Sequence, residues 1–311
     1  MRIPMVAVIL LVSSMSTMPR ASDVLVRSSA KVALPRPSWV PPEVSICGTA
    51  DDSQHVERYN GTLGPTIAQV KAWQPHTLQF QWRSDFADNF SGPSDSAGNV
   101  AGERWCTGTL IREDLVLTAA HCFYALSAEW KTPVKAGIPL TPEELAKLMV
   151  ANFNYQKKKT STTIRTPDVY EVDALVEIGD TRPSLQGSKL DFAIVRLKPK
   201  GTRQAGATYG TAILDGTPKT LMATKALTVI QHPNGQPKKI EAGTMIIEPR
   251  DALLRYGDID TRGGASGSGI LDENGRLIGV HTNGGCDGDA QFNYGVTLHA
   301  ISQVSSVLNL R

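Results

Sequence analysis

DTRGGASGSGI, residues 260–270, packs four glycines and two serines ahead of an apolar run. By composition alone it is a flexible loop. Small neighbours around a serine also let a substrate backbone approach closely, so Ser266 or Ser268 is a candidate nucleophile. Acyl transfer by serine needs a base beside the hydroxyl, a carboxylate orienting that base, and donors for the oxyanion. The chain offers candidates in the order His, Asp, Ser. His121 ends LVLTAAHC (115–122), a strand running into a tight turn, and Asp191 opens DFAIVRL (191–197), where a carboxylate is shielded beside a buried strand. Ser266 lies in GASGSG (264–269). Asp168, Asp173 and Asp180 are rivals to Asp191, but none opens so clean an apolar run. His55, His76, His232 and His299 sit in no such motif and read as packing or surface residues.

The rest of the 311-residue chain fits an exported, β-rich protein. With 41% hydrophobic residues, 20% charged residues and a net charge of +2, it carries neither a disorder signature nor a nucleic-acid footprint. Arg2 precedes the ten-residue apolar run IPMVAVILLV (3–12) and then small residues, the pattern of a cleaved signal over about residues 1–21. That run is too short to span a membrane, which takes about 20 apolar residues. Residues 22–43, with Pro35, Pro37, Pro41 and Pro42, read as a propeptide or linker. Export turns the four cysteines, Cys47, Cys106, Cys122 and Cys286, into expected disulfide partners with three pairings open, and their spacing matches no zinc pattern.

From about residue 44 onward, short apolar runs alternate with Gly, Asn and Asp, which predicts an all-β barrel or sandwich. Two helices stand out. PLTPEELAKLM (139–149) has a capping box of Thr141 and Glu144 with Pro142 first, and is expected to decorate a long loop. At the C-terminus AISQVSSVLNLR places Ile301, Val304 and Leu308 on one helical face for docking.

TAAHC (118–122), DFAIVRL and GASGSG, in this order and separated by 70 and 75 residues, resemble the three catalytic segments of chymotrypsin-like serine proteases. The likeness covers about residues 44–311. It implies two perpendicular antiparallel β-barrels with a C-terminal helix, the first over about 50–200 and the second over about 205–300. Under it, His121, Asp191 and Ser266 form the triad, and the N–H groups of Gly264 and Ser266 form the oxyanion hole. Ser268 is then structural, and Cys106 pairs with Cys122 beside the catalytic histidine. No metal or organic cofactor is required. The expected partners are protein or peptide substrates of a monomeric, secreted (extracellular or periplasmic) enzyme, with no nucleic acid and no membrane anchor. A protease fold kept only as a binding protein is the alternative of another class.

Specificity is less settled by the sequence. Thr261 and His281, with the surrounding DTRGGASGS and VHTNG (280–284) and the ICGTADD stretch (46–52), resemble the bacterial glutamyl endopeptidase branch. That likeness implies an imidazole and a hydroxyl reading glutamate, or less well aspartate, before the scissile bond. Asp260 argues for the alternative, since trypsin-type members carry an aspartate there for Lys or Arg. Thr282, Asn283 and Gly284 are expected to pair with the substrate main chain. Ala265 replaces the aspartate that receives a freed N-terminus in digestive members, which puts that activation switch in doubt. With Cys106 and Cys122 matched by the resemblance, Cys47 is expected to join Cys286, tethering the N-terminal segment near the pocket. Glu43–Val44 is a bond that a glutamyl enzyme could cut itself.

Overall fold

The computed structural model describes residues 44–124, 130–179, 190–246, 252–286 and 291–310. The expected signal and propeptide, and the Glu43 side of the proposed processing bond, lie outside the described residues.

Six strands make the first barrel: β1 (Thr77–Trp82), β2 (Arg104–Leu110), β3 (Leu115–Thr118), β4 (Met149–Phe153), β5 (Asp168–Ile178) and β6 (Ala193–Leu197). They pair antiparallel in the order β1-β2-β3-β6-β5-β4 and close from β4 back to β1. The second barrel comprises β7 (Ala226–Gln231), β8 (Lys239–Ile246), β9 (Leu253–Tyr256), β10 (Gly269–Leu271), β11 (Arg276–Asn283) and β12 (Asn293–Thr297). Its order is β7-β8-β9-β12-β11-β10, closing from β10 to β7. The two barrels therefore repeat one connectivity, and the open choice between barrel and sandwich resolves to closed barrels.

Alternation along the strands explains the continuous apolar runs. In β3, Val116 enters the first-barrel core while Leu115 and Leu117 face a second cluster shared with the other barrel. Likewise in β6, Ala193, Val195 and Leu197 point inward and Ile194 outward into that shared cluster. A strand buried on both faces shows no polar alternation, so LVLT and AIV read as uninterrupted hydrophobics. The second barrel packs its own smaller core around Leu227, Val229, Leu254, Tyr256, Ile259, Ile270 and Ile278.

Three segments differ from expectation. The capping box of Thr141 and Glu144 forms as read, on α1 (Pro142–Lys147). That helix is not loop decoration, because Leu145 and Ala146 are buried in the first-barrel core and α1 runs almost directly into β4. Residues 44–55 do not start the first barrel: Val44–Ser45 pairs with Thr261–Arg262, and Gln54–His55 pairs with β8. The C-terminal helix α2 (Leu298–Val304) is shorter than its apolar period suggests. It stops at Ser305, whose backbone is extended; its last residue, Val304, is 62% exposed, and Leu308 reaches the core from the tail.

Candidate active site

β3 and β6 are neighbours with Thr118 opposite Ala193, so the residues just after β3 and just before β6 meet at one end of the barrel. That register brings His121, on the 3-10 turn Ala120–Phe123, to Asp191. Asp191 Oδ1 accepts the backbone N–H of His121 at 3.0 Å and Oδ2 lies 2.6 Å from Nδ1. Asp191 is buried, while the His121 side chain keeps partial exposure. Burial pushes the imidazole pKa down, but the charge of Asp191 and its hydrogen bond outweigh that and hold it above the ordinary value. With Nδ1 committed, Nε2 has no hydrogen-bond partner among the described residues. The disulfide Cys106–Cys122 ties β2 to this turn.

The serine loop is fastened to the first barrel through Thr107 of β2. Thr107 N–H donates to Ser266 O at 2.8 Å, and its hydroxyl donates to Gly264 O at 2.8 Å. Thr118, the last residue of β3, donates its hydroxyl to Thr107 O at 2.7 Å. Gly267 is where the approach is tightest: its φ is +86°, and a Cβ there would stand 2.0 Å from Thr118 Oγ1 and 2.2 Å from Thr107 O. Only glycine lets the loop sit this close to the strand end that leads into His121.

Within the loop the two serines differ. Ser268 is fully buried and donates its hydroxyl to Ala265 O at 2.6 Å, a structural bond. The Ser266 hydroxyl, partly exposed, has no hydrogen-bond partner among the described residues. Ahead of it, Ala265 N–H closes a turn onto Arg262 O at 2.9 Å, with Gly264 at φ +91° as its third residue. This leaves the N–H groups of Gly264 and Ser266 without acceptors among the described residues. Ala265 is sealed in the core.

His281 joins the same loop: its carbonyl accepts Gly267 N–H and its N–H donates to Ser268 O, each at 2.8 Å. The ring is buried, with Nδ1 2.5 Å from the hydroxyl of Tyr256. Burial, reinforced by the nearby charge of His121, pushes its pKa down to about 3, so it is neutral. Thr261 is buried, and its hydroxyl has no hydrogen-bond partner among the described residues. Pairing of β11 with β10 ends at Val280, leaving Thr282, Asn283 and Gly284 without a strand partner on that edge among the described residues. The space beside Gly284 is filled: a Cβ there would meet Ser45 Cβ at 2.5 Å, so the N-terminal segment rather than a substrate strand accounts for this glycine.

Asp260 faces the N-terminal segment. Its carboxylate accepts N–H groups from Cys47 at 2.7 Å and Asp52 at 3.4 Å, and burial raises its pKa. Cys47 is joined to Cys286, and Ser45 Oγ accepts the N–H groups of Gly285 and Cys286 at 2.8 Å, so the segment forms a wall beside the loop. Asp51, Glu241 and Asp260 bring carboxylate oxygens within 4.8 Å of one another. Arg262 pairs with Asp51 at 3.0 Å, and burial lifts the Glu241 carboxyl to about 9, so a proton on Glu241 is enough to relieve the repulsion. Cys106, His121 and Cys122 also cluster, but both sulfurs are spent in the disulfide.

The trypsin-like peptidase domain model matches residues 106–280, more than half of the chain and spanning all three segments. The chain belongs to this family. The peptidase is 28% identical over 254 residues to exfoliative toxin A of Staphylococcus aureus, covering 78% of each chain. Among solved structures it is similar to a Glu endopeptidase in complex with MPD, at 18% identity and a TM-score of 0.49, covering 85% of this chain and 96% of that one. It is also similar to the Vibrio cholerae VesB protease, at 16% identity and a TM-score of 0.46, covering 74% and 62%. The peptidase is a serine endopeptidase, acting on protein or peptide substrates. Sequence reasoning missed Thr107, Thr118 and Tyr256, which support the site through contacts between strands and carry no motif of their own.

Proposed function

We propose that this endopeptidase is exported and cleaves after glutamate through His121, Asp191 and Ser266. The carrying observation is the division of labour at His121: Asp191 occupies Nδ1 and the backbone N–H, so Nε2 alone is left to work. Ser266 Oγ attacks the scissile carbonyl while Nε2 takes its proton and later returns it to the leaving amine. Asp191 keeps the imidazole in the right tautomer and stabilises the imidazolium. The unpaired N–H groups of Gly264 and Ser266 receive the oxyanion. Two disulfides support an oxidising compartment. Among the described residues, no helix is long and apolar enough to cross a membrane.

For the acidic preference, His281 and Thr261 supply donors in a buried setting where an entering carboxylate would otherwise be costly to desolvate. Asp260 is the feature favouring Lys or Arg, yet its carboxylate is engaged by Cys47 and Asp52, which supports the glutamyl reading. Removal of the segment before Val44 would leave a new amine on the strand paired with Thr261–Arg262, close to that pocket.

An organophosphonate that traps active serines tests the nucleophile: labelling is expected to vanish in Ser266→Ala and to survive in Ser268→Ala. Digestion of a mixed peptide library tests the preference. Cuts after Lys or Arg would overturn the glutamyl reading and leave the triad standing.

A further inference from the structure

The mechanism above uses His281 but not the residue behind it. Tyr256 ends β9 and is held by strand pairing on both sides, opposite Asn293 of β12 and Met245 of β8. His281 is fixed from β11, opposite Gly295, and by its two backbone bonds to the serine loop. The tyrosine side chain is fully buried in the second-barrel core, and its hydroxyl meets His281 Nδ1 at 2.5 Å.

The direction of this hydrogen bond follows from counting protons. A buried hydroxyl must place its hydrogen on an acceptor, and among the described residues Nδ1 is the acceptor available to Tyr256. Burial drives the phenol pKa upward, so the hydrogen stays on oxygen. Nδ1 then presents its lone pair to Tyr256. A neutral imidazole with Nδ1 as acceptor carries its hydrogen on Nε2. In the other tautomer Nδ1–H would confront Tyr O–H, stranding a proton in the core, while Nε2 would show a lone pair. The imidazolium meets the same obstacle at Nδ1.

We propose that Tyr256 is a positioning residue for substrate specificity, locking His281 as a neutral Nε2–H donor for the glutamate side chain. The role rests on reading His281 as the residue that receives that side chain. A lone pair on Nε2 would repel a carboxylate, so the hydroxyl of Tyr256, which never touches substrate, decides whether the pocket accepts or rejects it. The chemistry is different from that of a positively charged pocket: recognition depends on where one hydrogen sits, and His281 needs no net charge.

The test combines two readouts on the full chain. In Ser266→Ala protein at neutral pH, nitrogen-15 NMR should show His281 with a protonated Nε2 and a bare Nδ1. Adding Tyr256→Phe should replace that state with a tautomer mixture. In the active protein, Tyr256→Phe should raise KM for glutamyl peptides about tenfold with kcat changed less than twofold. In a His281→Ala background the same change should have no further effect on KM. A protonated Nδ1 in the parent, or a tautomer indifferent to Tyr256→Phe, overturns the proposal whatever the cleavage preference. A correct, Tyr256-dependent tautomer in a protein that does not cut after glutamate overturns the glutamyl reading, and the specificity role falls with it.

Discussion

Asp191 grips His121 twice, Oδ1 on the main-chain N–H at 3.0 Å and Oδ2 on Nδ1 at 2.6 Å. One oxygen fixes where the turn lies and the other fixes which ring nitrogen keeps a hydrogen. Replacing Asp191 by Asn puts an amide where one of these acceptors was, and the ring can then settle in the unproductive tautomer. The expected loss in kcat is about 10,000-fold, with the fold intact by circular dichroism. A loss below tenfold would remove Asp191 from the triad.

The same contact sets the pH response. In the proposed mechanism His121 takes a proton from Ser266, which requires a neutral ring, and Asp191 holds its pKa above the ordinary value of 6.5. The proton therefore leaves at higher pH than from a free histidine. kcat/KM should rise with pH through an apparent pKa above 6.5, and the inflection should move down in Asp191→Asn. A pH profile with its inflection below that of free histidine would contradict the assignment.

Gly267 is the point where the serine loop and the first barrel nearly touch. In Gly267→Ala the methyl would fall 2.0 Å from Thr118 Oγ1 at a φ of +86°, so the loop must withdraw. Overpacking together with the strained backbone should cost about 2 kcal/mol or more of stability. Activity should fall more steeply than Tm, because displacement of the loop moves Ser266 away from His121. Thermal melts and peptide hydrolysis on one preparation separate the two effects.

Glu241 gives a stability signature independent of catalysis. It is fully buried, and burial raises its folded pKa from 4.5 to about 9. A carboxyl with a raised folded pKa contributes fully below its unfolded pKa and loses that contribution as pH climbs to the folded one. Stability should decline across this interval, and Glu241→Gln should flatten the decline. Urea midpoints at pH 5, 7 and 9 measure it; an unchanged slope in the variant would reject the burial argument.

Much of this was legible in the sequence, for identifiable reasons. LVLT and AIV are buried on both faces and so stand out, and the serine segment carries small residues such as Gly267, where a Cβ would strike Thr118 and Thr107. β4 was not legible: MVANF is short, contains Asn152, and follows a capped helix that suggested a loop excursion. The disulfide that holds residues 44–55 to the second barrel was anticipated, but the strand pairing of Val44–Ser45 and Gln54–His55 was not, because two-residue bridges leave little trace in side-chain choice. Tyr256 sits in LLRYG without any motif, because its importance arises from three strands placed side by side. The period Ile301, Val304, Leu308 misled because the backbone stops being helical at Ser305, so Leu308 reaches the core from the tail and Val304 does not share its face.

The link between Cys47 and Cys286 joins residues 239 positions apart. A chain synthesised from its N-terminus must release nearly its whole length before that wall can be fastened. Until then the wall that Cys47 and Ser45 form beside the serine loop is held by hydrogen bonds alone.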